Sequence, residues 1–184
     1  MFALIVGGSG SGKSEYGENL AVSWAKREGL PLYYIATMEP WGEEGQRRIL
    51  RHRKLREGKG FTTMECYRGL KDLKLPKRGV VLLECLSNLA ANEMFGKGGA
   101  GQRTALEVVQ GVRALREQCR HLAVVSNDIF CDGGAYDETT KQYQRCLGEI
   151  NAELSGEAHQ VTEIVCGIAL HQKEIGNEPV VEQL

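Results

Sequence analysis

Gly7-Gly8-Ser9-Gly10-Ser11-Gly12-Lys13-Ser14 reads G-x-x-x-x-G-K-S, and each residue type in that pattern has a use against a polyanion. Glycines let the backbone turn tightly and bring its N–H groups against phosphate oxygens. The lysine reaches the outer phosphates, and the serine hydroxyl suits Mg2+. The loop needs a strand before it and a helix after it, and both are present. Residues 2–6 form a short apolar run, and residues 15–26 favour a helix whose N-terminal N–H groups face the same anion. A Gly/Ser linker with a stray lysine would not be flanked in this way.

Two other groups carry chemistry. Glu84 follows Val80-Val81-Leu82-Leu83, a continuous apolar run of the buried parallel-strand type. A carboxylate at such a strand end holds Mg2+ directly or through water. Residues 43–57 predict a strongly basic helix bearing Arg47, Arg48, Arg51, Arg53, Lys54 and Arg56, with His52 among them. Arg48, His52 and Arg56 fall on one face at i, i+4, i+8. If that face meets a nucleotide, the arginines neutralise phosphates and His52 attacks an α-phosphorus to give a nucleotidyl-enzyme. Spacing alone favours a solvated charged face instead. His121, His159 and His171 read as structural or solvated.

The elements that must position these groups alternate. Strands are expected at 2–6, 32–36, 61–66, 80–83, 122–125, 160–166 and 168–171. Helices are expected at 15–26, 43–57, 86–95, 102–120 and 138–156, with a turn over 69–75 and a loop over 131–137. That alternation predicts an α/β fold: a mostly parallel sheet with helices on both faces, and ligands at the C-terminal strand ends. The P-loop, Glu84 and Ser126-Asn127-Asp128 all fall there. Tyr16, Leu20 and Trp24 mark the buried face of the first helix. Leu106, Val109, Val112 and Leu115 mark that of the 102–120 helix, and Tyr143, Leu147, Ile150 and Leu154 that of the last. One domain is expected over 1–173, with a polar tail over 174–184.

Bulk properties narrow the partners. The chain has 184 residues and a net charge of −1, which suits one domain and argues against general nucleic-acid binding. Its six cysteines are widely spaced with no C-x-x-C pair, so they read as reduced thiols and not as a cysteine zinc site. No apolar run approaches the roughly 18 residues of a membrane helix, so no membrane insertion is expected. The first strand leaves no room for a targeting segment, and the expected location is the cytoplasm. On residues alone three functions stay open: a P-loop transferase with a nucleotidyl-histidine, a P-loop small-molecule kinase, and a non-catalytic nucleotide-binding regulator.

A set of ordered motifs extends beyond the P-loop. Tyr34-Ile35-Ala36-Thr37, Glu44 followed by Arg48-Ile49 and His52, Thr63-x-Glu65, Leu82-Leu83-Glu84-Cys85-Leu86, Asn92, Ser126-Asn127-Asp128, and Gly148 with Asn151 occur in sequence over about 170 residues. Together they resemble the bifunctional adenosylcobinamide kinase / adenosylcobinamide-phosphate guanylyltransferases of cobalamin assembly. The resemblance implies a RecA-like P-loop fold and a homotrimer. It implies phosphorylation of adenosylcobinamide with ATP or GTP, followed by transfer of GMP from GTP through a guanylyl-histidine at His52. Lys13 is then catalytic with His52. Gly7 through Ser14, Thr37, Glu65 and Glu84 contact nucleotide, and Ser14 and Glu84 hold Mg2+. The partners implied are a nucleoside triphosphate and a corrinoid. This chain differs from the family pattern at Gly45, where the family has Met, over 128–136, and at Gln144-Arg145.

Overall fold

Side-chain parity along the strands decides how the chain folds into layers. Phe2, Leu4, Tyr33, Ile35, Val81, Leu83, Leu122 and Val124 pack into one buried cluster. Their neighbours Ala3, Ile5, Leu32, Tyr34, Val80, Leu82, Ala123 and Val125 pack into another. Successive strand residues point to opposite faces, so a sheet apolar at both parities must be covered on both sides. The computed structural model describes residues 1–40, 42–129 and 136–175, without the side chain of Glu44. Most of the expected 131–137 loop and of the tail therefore lies outside the described residues.

The elements are β1 (Phe2–Gly7), α1 (Lys13–Glu28), β2 (Leu32–Ala36), α2 (Gly42–Arg56), β3 (Thr62–Glu65), β4 (Val80–Glu84), α3 (Leu86–Phe95), α4 (Thr104–Gln118), β5 (His121–Asn127), α5 (Glu138–Glu157), β6 (Gln160–Val165) and β7 (Ile168–Glu174). One sheet runs in the order β3-β2-β4-β5-β1-β6-β7. All neighbours pair parallel except β6 and β7, which form an antiparallel hairpin. The fold is thus the expected α/β arrangement. Helix α1 packs Leu20, Ala21 and Trp24 on one face of the sheet. Helices α3, α4 and α5 cover the other face with Leu86, Leu89, Val108, Val112, Leu115, Leu147, Ile150 and Leu154. Side chains of this size each contribute roughly 1.5–3 kcal/mol when fully buried.

Local signals account for the helix bounds. Gly29, at φ +64°, ends α1, and the Asp137 carboxylate caps α5 by accepting from the Thr140 N–H at 2.7 Å. Four expectations need correction. Helix α1 starts at Lys13, placing Lys13 and Ser14 in its first turn. Ser126 and Asn127 belong to β5 and do not follow it. Pairing at the far edge continues past 173, because β7 runs to Glu174 and the Ile175 N–H donates to His159 O at 2.8 Å. Leu106 is 52% exposed while Val109, Val112 and Leu115 are buried. The reason is geometric: a uniform three-residue step slips about 60° per step on a helix of 3.6 residues per turn, so Leu106 and Leu115 sit on opposite sides. Val108 fills the inward position instead.

Two histidines stitch strand starts. The His121 ring is buried, with Nε2 2.6 Å from Glu28 Oε1 and Nδ1 3.0 Å from the Met1 amino group. His159 Nδ1 accepts from the Phe2 N–H at 3.1 Å. Burial holds both imidazoles below their ordinary value, consistent with a neutral ring that accepts at Nδ1. For His121, the same neutral ring donates from Nε2 to an ionised Glu28, whose carboxyl that bond lowers. A folded-state value below the unfolded one means the unfolded chain binds more protons, so stability falls as pH drops below about 6.5. Urea unfolding should therefore show a lower midpoint at pH 5.5 than at pH 7.5. A His121→Asn variant, less stable at pH 7.5, should lose less over the same interval. An unchanged pH slope in that variant would exclude His121 as a source.

Candidate nucleotide site

Parallel strands place their C-terminal ends on one edge, and the site assembles there. The P-loop leaves β1 at Gly7, where a Cβ would lie 2.6 Å from Ile164 O and 2.7 Å from Ser11 Oγ. The loop enters α1 through Gly12 at φ +96°. Only glycine satisfies both positions without displacement. The loop is braced from two sides. The Asp128 N–H donates to Gly7 O at 2.9 Å, and the Gly167 N–H donates to Ser11 O at 2.9 Å. Gly167 lies in the β6–β7 turn, where it and Cys166 both have positive φ, the conformation of a tight hairpin. Gly8, Ser9, Gly10 and Gly12 stay exposed, leaving the cradle open to an anion. Lys13 is 7% exposed and donates from Nζ to Gly8 O at 2.8 Å. Burial lowers its ammonium from the ordinary value.

Strand β5 separates the P-loop strand from β4, yet Glu84 at the end of β4 reaches α1. Ser14 Oγ donates to Glu84 Oε1 at 2.5 Å. Glu84 is 7% exposed, and its Oε2 has no hydrogen-bond partner among the described residues. Oxygen donors of this kind, a hydroxyl beside a carboxylate with a free oxygen, fit Mg2+.

The basic helix is the element whose orientation spacing could not settle, and two of its three expected residues turn inward. His52 Nδ1 lies 3.5 Å from Glu84 Oε1 and is buried without a hydrogen-bond partner among the described residues. Arg56 is buried, with its guanidinium 3.4 Å above the centre of the Tyr34 ring, a cation–π contact. Arg48 stays exposed, although its charge acts on Lys13. Burial, reinforced by the Glu84 charge, raises the Tyr34 phenol and keeps it protonated.

Glu18, one turn after Ser14, was not singled out from the sequence. It is 1% exposed. Its Oε2 accepts from Lys59 Nζ at 2.6 Å, and its Oε1 has no partner among the described residues. Burial raises its carboxyl, and Lys59 opposes that shift. The signal that could have found it is the i, i+4 spacing of Ser14 and Glu18 in a helix starting at Lys13.

Thr37 and Glu65, both expected to contact nucleotide, make contacts within the fold. Thr37 is fully buried, its hydroxyl accepting from the Cys85 N–H at 2.7 Å and donating to Cys85 O at 2.9 Å. It clasps the ends of β2 and β4 and has no hydroxyl hydrogen left for a nucleotide. Glu65 ends the edge strand β3, half exposed, with Arg53 at 3.3 Å and the Tyr67 hydroxyl at 2.8 Å. It therefore faces α2 and not the P-loop. Asn92 donates to Thr37 O at 2.8 Å and to Tyr67 O at 3.0 Å. Gln144 donates to Ile129 O at 3.0 Å and so pins the start of the divergent segment.

A glycine-rich loop between strand and helix, a strand-end carboxylate on its serine, and one strand inserted between the two define a P-loop NTPase of the RecA-like type. A profile of the family described as cobinamide kinase / cobinamide phosphate guanyltransferase matches residues 3–172. The chain belongs to that family. It is 27% identical over 187 aligned positions to the bifunctional adenosylcobalamin biosynthesis protein CobU of Salmonella typhimurium, covering 94% of this chain and all of that one. It is likewise 27% identical over 175 positions to CobP of Pseudomonas aeruginosa, covering 92% and 96%. Among solved structures, the flagellar accessory protein FlaH from Methanocaldococcus jannaschii overlaps 95% of this chain and 78% of its own, at 14% identity and a TM-score of 0.49. None of the described helices is long and apolar enough to cross a membrane.

Because Asn92 satisfies two carbonyls at once, Asn92→Ala should destabilise the chain by about 2–4 kcal/mol in urea unfolding. A loss under 0.5 kcal/mol would show that these bonds do not hold the strand ends.

Proposed function

We propose that this chain phosphorylates the propanolamine hydroxyl of adenosylcobinamide and then transfers GMP from GTP to the phosphate so formed, using His52 as the nucleophile. The observation that supports it best is the His52 ring facing Glu84 at 3.5 Å, on the carboxylate that holds the P-loop serine. That contact supports a reading in which a basic helix distant in sequence presents its imidazole to the bound triphosphate.

In the first step the loop amides and Lys13 hold the triphosphate and stabilise charge on the transferred phosphoryl group. Ser14 and Glu84 are the residues that would hold Mg2+, which supplies further charge neutralisation at the phosphates. The second step needs the ring proton on Nδ1, the side that faces Glu84, so that the Nε2 lone pair is free. Nε2 attacks the α-phosphorus, the bond to the β-phosphate oxygen breaks, and pyrophosphate leaves. The phosphate of adenosylcobinamide phosphate then attacks the guanylyl phosphorus, the P–N bond breaks, and His52 is regenerated with adenosyl-GDP-cobinamide as product. ATP or GTP serves the first step. The assembly in this reading is a homotrimer, measurable by light scattering.

Incubation with [α-32P]GTP should label the protein through an acid-labile bond, and His52→Ala should abolish the label. A label that survives in that variant would remove His52 from its role. Lys13→Ala should lower phosphorylation kcat/KM by roughly 10²–10³; retained turnover would show that the loop is not the catalytic cradle. Phosphorylation without any GTP label would select a kinase lacking the second step.

A further inference from the structure

Five buried side-chain atoms lack a hydrogen-bond partner among the described residues, Ser11 Oγ and Arg56 Nη1 among them, and the three on metal-ligating residue types are Glu18 Oε1, His52 Nδ1 and Glu84 Oε2. They come from three elements, α1, α2 and β4. The three side chains offer ligand atoms that all lie within 4.8 Å of one another, and this is the one such group of three or more among the described residues. We propose that Glu18, His52 and Glu84 form a binding site for a divalent d-block cation of the Zn2+ class, which shares Glu84 with the Mg2+ set and takes Glu18 and His52 in place of Ser14.

The geometry favours a shared ion over direct contacts. His52 Nδ1 and Glu84 Oε1 are 3.5 Å apart, long for a hydrogen bond between them. Two ligands of a tetrahedral ion with bonds near 2.1 Å stand roughly 3.4 Å apart. Glu18 is 1% exposed, so a free oxygen on it has no access to bulk water and gains most from a cation. The supporting contacts are in place. Lys59 holds the other oxygen of Glu18 at 2.6 Å, and Ser14 holds Glu84 at 2.5 Å. Such outer contacts orient ligating carboxylates. Two carboxylates and one imidazole give a mixed N/O set. Imidazole selects Zn2+ and its neighbours over Mg2+, which prefers oxygen alone. Three protein ligands leave the fourth position for water or a phosphate oxygen.

One consequence rests on the proposed function. A neutral imidazole bound to metal through Nδ1 carries its proton on Nε2, the atom that must attack GTP. The ion and the guanylyl group therefore exclude each other on His52, and the site is inhibitory.

Chelator-treated full-length protein, without nucleotide, should be titrated with Zn2+ against a chromophoric indicator and with Co2+ followed by visible absorption. We expect one ion per chain, Co2+ bands without thiolate charge transfer, and at least about tenfold weaker Zn2+ binding in both Glu18→Gln and His52→Ala. Undiminished binding in both variants, or a thiolate band marking cysteine ligation, would overturn the site. Should a variant fail to fold, the wild-type Co2+ spectrum and stoichiometry decide alone. Zn2+ added before [α-32P]GTP should suppress labelling. Labelling without metal tests the transfer chemistry by itself, so its failure and the failure of the ion site are read separately.

Discussion

One buried carboxylate constrains the whole site. Glu84 ends a strand that is buried throughout and sits two strands away from the P-loop strand. An ionised carboxylate there is costly unless paired or hydrogen-bonded. Ser14 from α1 supplies one bond, and His52 from α2 comes within 3.5 Å. Lys13 adds a nearby positive charge. Each group is also one that the proposed function assigns to a nucleoside triphosphate. In that reading the contacts that make Glu84 tolerable in the free protein are those its chemistry uses.

The sheet serves this residue. Val80 to Leu83 are apolar at both parities and must be covered twice, which places α1 on one side and α3, α4 and α5 on the other. Covering both faces fixes where α1 begins, and thereby where Lys13 and Ser14 stand. Thr37 and Asn92 then fasten the neighbouring strand ends, each spending its hydrogen bonds on backbone. Polar residues at the functional edge thus divide into those facing the pocket and those that keep its rim in register.

That division marks what sequence reading could reach. β2 and α3 were legible to the residue, and β4 to within one, because their signals are local: apolar runs bounded by Pro31, Gly79 and Gly96. The P-loop and Glu84 were legible because a motif and a strand end have fixed geometry. The inward turn of α2 was not, since its basic residues carry no apolar stripe. His52 and Arg56 are drawn in by Glu84 and Tyr34, which lie more than twenty residues away or on another strand. Glu18 was hidden for the same reason: a lone glutamate in an amphipathic helix looks solvated until Lys59 and β4 close over it. Thr37 shows a second part that the motif does not announce: a threonine at a strand end reads as a ligand, and here its hydroxyl also bonds the Cys85 backbone.

Helix α2 differs in kind from the rest of the fold. Helices α1, α3, α4 and α5 are attached by apolar faces, and such contacts are indifferent to charge. On α2, Leu50 and Leu55 are 62% and 47% exposed, and the helix meets the body through His52 at Glu84, Arg56 over Tyr34 and Arg53 at Glu65. Interactions of that type depend on the ionic state of the pocket they border. A triphosphate brings several negative charges to a space now shared by Glu18 and Glu84 with Lys13, Arg56 and Lys59. It must therefore change the forces on α2 far more than those on the helices beside the sheet. The proposed nucleophile thus rides on a helix held by charge, while the proposed phosphate cradle belongs to the apolar core.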